Sequence, residues 1–203
     1  MDIEMAFANT KIVLKEMGGA VKYIVSEVIK KNKKELDLLG VKLKIPKEKY
    51  MTFKEVAELM KKHKIKIGDD DLTGEAERKL DELFPDTIIF VYDWPMKGKP
   101  FYIMPKGEKA DAKLSEGFDA IYKGMEISSG GQRIHIPLLL EKRLKAKGLN
   151  LKDFKSYIDS FRFGAPPHAG WSIGIERFTH ALLELSNVRE ACLFPRDRDR
   201  LSP

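Results

Sequence analysis

The chain has 203 residues, a net charge of +6, a hydrophobic share of 43% and a charged share of 33%. That is enough for one substantial domain with a real core, and it excludes a disordered or fibrous chain. The longest apolar runs, Thr87 to Tyr92 and Ile136 to Leu140, are far too short to cross a bilayer, so no membrane role is expected.

No charged-then-apolar leader is visible, and Cys192 is the only cysteine, so no internal disulfide is possible. The expectation is a cytoplasmic protein. The basic surplus suits a polyanionic partner. It equally suits solvated helices, since Lys30, Lys31, Lys33 and Lys34 are followed by Glu35 and Asp37.

In chain order, Met1 to Phe7 reads as a short strand in which Asp2 and Glu4 alternate with Ile3 and Met5. Thr10 is placed to cap a long helix from about Lys11 to Leu39, with Gly18 and Gly19 marking a kink and Gly40 a stop. Thr52-Phe53-Lys54-Glu55 has the capping-box pattern and opens a helix to about His63. A third helix runs from near Thr73 to before Pro85. Thr87 to Tyr92 (TIIFVY) reads as a buried strand, and Gly98 to Met104 as its continuation in the sheet.

Lys106 to Ser115 is a loop by composition. Gly117 to Ser129 reads as two strands hinged at Gly124. Pro137 to Lys147 and Leu151 to Phe161 read as helices, the first with Pro137 in its opening turn. A strand from Ala169 to Ile175, a helix from Glu176 to Leu185 and a short strand from Glu190 to Phe194 complete the chain. The fold class expected is α+β, a largely antiparallel sheet flanked by helices.

Chemistry collects in two segments. In FDAIYKGMEISSGGQRIH, Phe118 to His135, the carboxylates of Asp119 and Glu126 and the hydroxyl of Ser129 are hard oxygen donors suited to Mg²⁺ and substrate phosphates. Glu126 and Ser129 point to opposite faces of a flat strand, so joint binding requires a bulge or turn between them. Gly130 and Gly131 allow close approach of backbone to a ligand, and Arg133 offers a planar fork for a carboxylate. The same residues also suit an edge hairpin whose acids pair with surface lysines.

The second segment is PPHAGWSIGIER, Pro166 to Arg177, an apolar strand running into a helix. Gly170 and Gly174 leave room for a flat ligand, and Arg177 suits a triphosphate; a generic strand-to-helix junction fits equally. His168 is open to a structural or a ligand-contacting role. Neither GxxxxGKS/T nor a strand-turn GxGxxG occurs, and the four histidines and one cysteine have no zinc-ligand spacing.

Together with MDIEMAF, KPFY (Lys99 to Tyr102) and NVREACLFPRDRDRLSP, these segments resemble the C-terminal catalytic core of aspartyl-tRNA synthetases of archaeal/eukaryotic type. The resemblance covers essentially all of residues 1–203 as a partial class II catalytic domain, with a metal and amino-acid segment at 117–135 and a motif 3-like segment at 166–178. It implies a ligase that activates aspartate with ATP and charges tRNA(Asp), with tRNA(Asn) as a second candidate, as a homodimer when complete. It implies Mg²⁺ held by Asp119, Glu126 and Ser129, and the substrate carboxylate gripped by Arg133 and Lys99, with Ser129 beside them. It also implies ATP contacts from Glu126, His168, Gly170, Gly174 and Arg177, with Arg177 and Glu126 as the catalytic pair.

Motifs 1 and 2 of the family and its anticodon-reading domain are not among these residues, so the chain is expected to begin just after motif 2 and to be inactive alone. Ala169 replaces a family glycine and is expected to add a methyl group beside the ligand. Ile136-Pro137, Trp94 and Met96 are further departures. An asparagine synthetase-type paralogue and a non-catalytic, synthetase-derived ligand-binding module are the alternative readings.

Overall fold

The structure is a computed structural model and describes residues 1–202; Pro203, the last residue of the C-terminal segment quoted above, lies outside them. Six strands form one mixed sheet: β1 (Asp2–Ala6), β2 (Lys47–Thr52), β3 (Thr87–Tyr92), β4 (Gly117–Tyr122), β5 (Met125–Gln132) and β6 (His168–Ile173). Their spatial order is β1-β6-β5-β4-β3-β2, and every pairing is antiparallel except the parallel one between β2 and β3. The largely antiparallel α+β class is borne out. Among the described residues no helix is long and apolar enough to cross a membrane.

The sheet has two differently covered faces. On one, α1 (Thr10–Lys31) and the last long helix pack on Phe90, Phe118, Ala120, Trp171 and Ile173, all under 2% exposed. On the other, α3 (Phe53–Lys62) and α4 (Gly74–Leu83) cover only the β2–β3–β4 end, through Val56, Met60, Ala76 and Leu80 against Ile89, Val91 and Ile121. The β4–β5–β6–β1 end of that face is left as an open cleft. A third cluster joins α5 (Pro137–Ala146) to α6 (Lys155–Arg162) beside it.

Several expectations are corrected. Asn9, not Thr10, caps α1, accepting from the Ile12 N–H at 3.1 Å. Thr10 instead ties the helix to the sheet, donating to the Glu116 carbonyl at 2.5 Å and accepting from the Gln132 N–H at 3.1 Å. The helix runs unbroken through Gly18 and Gly19 and breaks at Asn32, before α2 (Lys33–Leu39). Gly18 is a close-approach point, because a Cβ there would lie 2.6 Å from the Glu48 carboxylate of β2.

Strand β2 itself was not expected, since KEKYMT is too charged to announce a strand. Gly98 to Met104 is loop rather than strand, pairing beside the sheet only as an isolated Ile103–Arg133 bridge, with the Met104 N–H donating to the Gln132 carbonyl of β5 at 2.9 Å. The strand expected from Glu190 to Phe194 does not form; a 3-10 turn over Val188–Ala191 overlaps its start. The capping box at Thr52 and Glu55 is present, and Pro137 opens α5 as expected. The remaining helix, α7 (Ile175–Leu183), follows β6 directly.

Candidate functional site

Strands β4 and β5 are joined by Lys123 and Gly124, both at positive φ (53° and 70°), as a two-residue hairpin turn requires. The pairing then slips by one residue. Asp119 faces Ser129 and Ala120 faces Ser128, but Ile121 faces Glu126. Ile127 is the extra residue, a bulge that turns its side chain into the α1 core, where it is 1% exposed. Asp119 and Ile121 share a face of β4, so Ser129 and Glu126 share that face of β5. The bulge that joint action of these side chains requires is present.

These three residues line one cleft of about 440 Å³ with Lys99, Arg133, Asp70, Asp71, Trp94 and Tyr102. Lys99 is placed from the loop before η-turn residues 106–108: its Nζ is 2.6 Å from Asp119 Oδ2 and lies 4.2 Å above the Trp94 ring. The Trp94 indole is anchored to the Val91 carbonyl at 2.8 Å. Helix α5 steadies the same loop, with Arg143 Nη2 3.4 Å from the Met96 carbonyl and Lys147 Nζ 2.7 Å from that of Lys97. Trp94 and Met96, departures in sequence, are thus buried supports of the cleft wall.

Burial pushes the Glu126 carboxyl up to about 7, with the Asp119 charge adding to it and Arg177 and Lys99 opposing. Asp119 is also raised by burial, against the pull of Lys99. Glu77, which accepts from the Glu126 N–H at 3.3 Å, is raised for the same reason. Two acids crowded together in this way, Asp119 buried and Glu126 partly so, favour a cation between them. Among the described residues no three His, Cys, Asp or Glu side chains gather tightly enough to hold a metal by themselves.

Arg177, in the first turn of α7, lies just past Glu126. Its Nη1 donates to the Glu126 carbonyl at 3.2 Å and stands 4.0 Å from the carboxylate. It lines an adjoining hollow of about 380 Å³ with Glu126, Glu77 and Asp71, so Glu126 is a wall common to both spaces. On the opposite side, His168 lines a hollow with Glu4, Tyr102 and Arg133. Its Nδ1–H donates to the Pro166 carbonyl at 2.9 Å, and its ring stacks on Phe161.

The glycines carry packing duties that were not expected. A Cβ on Gly130 would lie 2.7 Å from the Phe118 ring, and one on Gly131 2.4 Å from the Glu116 carbonyl, so internal packing already requires both. Gly170 faces Glu4, whose carboxylate would lie 2.5 Å from an added Cβ. Gly174 caps α7 with ordinary space around it. Ala169 is wholly buried in the α1-side core, so its methyl group points away from the cleft, contrary to expectation.

The sequence reading missed Glu4, Asp70, Asp71 and Glu77 as cleft residues. Glu4 had a signal, its alternation with Ile3 and Met5 on a strand. The run Asp69-Asp70-Asp71 had composition alone.

The family of class II tRNA synthetases (D, K and N) matches residues 1–198. The chain belongs to that family. It is 40% identical over 206 residues to the aspartate–tRNA(Asp/Asn) ligase of Methanocaldococcus jannaschii, a match that takes in 100% of this chain and 46% of the relative. It is 36% identical to the aspartate–tRNA(Asp) ligase of Thermoplasma acidophilum, over 100% and 47% of the two chains. The chain therefore spans about half the length of the curated relatives it matches.

Among solved structures, aspartyl-tRNA synthetase from Entamoeba histolytica superposes with a TM-score of 0.90 at 37% identity, over 100% of this chain and 44% of that one. Asparaginyl-tRNA synthetase from Pyrococcus horikoshii, complexed with asparaginyl-adenylate, gives 0.91 at 29% identity, over 100% and 48%. The open sheet with helices on both faces is the class II catalytic architecture.

Proposed function

We propose that this chain supplies the amino-acid and metal-binding part of an aspartate–tRNA ligase. The whole enzyme would join aspartate to ATP as aspartyl-adenylate, release pyrophosphate, and pass the aspartyl group to the 3′ end of tRNA(Asp). The observation that carries this reading is the bulge at Ile127, which sets Asp119, Glu126 and Ser129 in one cleft with Lys99 and Arg133. Acids for a cation and cations for a carboxylate share one cleft.

Arg133 and Lys99 are the groups for the side-chain carboxylate of aspartate. A neutral amide in its place leaves those cations without an anionic partner, which is the physical basis for rejecting asparagine. Arg177, exposed at the α7 N-terminus, reaches toward the ATP phosphates, where a helix end also favours anions. His168 and the Gly170–Gly174 stretch border the region left for the nucleotide.

The crowded acids fit a hard divalent cation, and Asp119, Glu126 and Ser129 are the residues that would hold Mg²⁺ together with phosphate oxygens. Bound there, Mg²⁺ supplies neutralising charge to the phosphates of ATP. The work of the chain itself is to orient. Arg133 and Lys99 fix one end of the amino acid, and Arg177 fixes the nucleotide tail, so that the α-carboxylate meets the α-phosphate.

The test is calorimetry on this chain with aspartate and with asparagine, followed by pyrophosphate exchange with the upstream half of a relative added. Aspartate-preferring binding and aspartate-dependent exchange are expected. Preference for asparagine, or transfer of the adenylate to ammonia, would point to an asparagine synthetase-type paralogue. Binding without exchange, even in the supplemented protein, would leave a non-catalytic ligand-binding module.

A further inference from the structure

Glu4 lines the same space as Arg133 and His168, yet none of the roles above uses it. Its carboxylate takes one edge of the Arg133 guanidinium: Oε1 lies 2.7 Å from Nη2 and 3.1 Å from Nε, and Oε2 lies 3.4 Å from Nε. Nη1 has no protein partner among the described residues, and the Tyr102 ring lies 5.7 Å from the guanidinium carbon. Glu4 stands opposite Gly170 in the β1–β6 register. A side chain on Gly170 would collide with the Glu4 carboxylate and the Ile3 carbonyl, at 2.5 and 2.2 Å, so Gly170 is the gap through which Glu4 reaches Arg133.

We propose that Glu4 is a positioning residue that holds Arg133 side-on, so that its other edge, Nη1 and Nη2, faces the cleft ready for a ligand carboxylate. This rests on the reading of Arg133 as the carboxylate grip. The Glu4 side chain is 51% exposed, so the pair contributes little to folding. Its effect is on order instead. An arginine side chain has many rotamers, and an unrestrained Arg133 would lose that freedom on binding its ligand.

Three variants test this by L-aspartate calorimetry and by the ¹⁵N–¹H signal of Arg133 Nε–H: Glu4→Ala, Glu4→Gln, which keeps an acceptor, and Glu4→Ala in an Arg133→Lys background. Glu4→Ala is expected to weaken aspartate about tenfold, Glu4→Gln about threefold or less, with ATP affinity unchanged in both. In the Arg133→Lys background Glu4→Ala has no further effect. Unchanged or tighter aspartate binding by Glu4→Ala, or an equal loss in both backgrounds, would overturn the inference.

Failure of the unaltered chain to bind aspartate would count against the ligase reading, and the Nε–H signal then decides for Glu4. A sharp signal lost only in Glu4→Ala supports the positioning role. A signal equally sharp in Glu4→Ala removes it.

Discussion

Glu126 shares a cleft face with Asp119 because Ile127 is inserted between Glu126 and Ser128 on β5. Were β5 regular through Ile127, with each residue paired in turn, Glu126 would lie on the α1 side of the sheet. The bulge therefore places a carboxyl that ionises reluctantly beside another acid, and the consequence is measurable as stability against pH.

Glu126 sits at about 7 in the folded chain, above the ordinary carboxyl value. The folded state thus keeps a proton that the unfolded state has already released, and stability falls as pH rises from about 4.5 to about 7. Glu126→Gln removes this loss. In a chelator-containing buffer the variant should melt higher than the parent at pH 8, with the difference shrinking toward pH 4.5. A constant difference across that window would show that Glu126 titrates normally.

Arg133→Ala deletes the fork that faces the cleft. Aspartate affinity should fall by about tenfold to a hundredfold, the range for a charge-assisted pair of hydrogen bonds, while ATP affinity holds. Calorimetry with the two ligands separately decides it, and equal aspartate affinity would refute the assignment.

Arg177 is exposed and makes a single hydrogen bond to the Glu126 carbonyl. Arg177→Ala should leave stability within about 0.5 kcal/mol of the parent. ATP binding should weaken about tenfold. If the nucleotide binds as before, Arg177 lies outside the site.

Thr10→Val keeps the shape but removes the hydroxyl that bridges the Glu116 carbonyl and the Gln132 N–H. Each group loses one of two partners, since the Gln132 N–H still donates to the Glu116 carbonyl at 3.1 Å, and the two lost bonds together cost about 1–2 kcal/mol. Thermal unfolding should shift down by about 2–8 °C. A shift no larger than that of an exposed Thr→Val control would show that α1 docks without this tether.

Long-period features were legible in the sequence, and short-range exceptions were not. The antiparallel sheet, the capping box at Thr52 and the bulge demanded by Glu126 and Ser129 follow from side-chain periodicity. Strand β2 was hidden because KEKYMT lies at the sheet's edge and takes its place from parallel pairing with TIIFVY, a long-range effect. The short run from Glu190 to Phe194 reads as a strand from composition alone, and a run of that length does not distinguish a strand from the irregular backbone that follows the 3-10 turn at Val188–Ala191.

Within the cleft, Asp119, Glu126, Ser129, Arg133 and Lys99 were identifiable from residue type and resemblance. Glu4 showed only the alternation of its strand, and its pairing with Arg133 was hidden because the two lie 129 residues apart. A second duty of Gly170 was hidden for the same reason: its missing side chain makes room for the Glu4 carboxylate of the chain.

Lys99, pinned between Asp119 and the Trp94 ring, gives that acid a tethered counterion of the chain's own. On the proposed assignment, a cation held at Asp119 would exchange with an ammonium group rather than meet bare negative charge. The ammonium so released would stay on its short leash, beside the place proposed for the substrate carboxylate. Cation and amino acid would then be coupled through one mobile charge, each binding more tightly with the other in place.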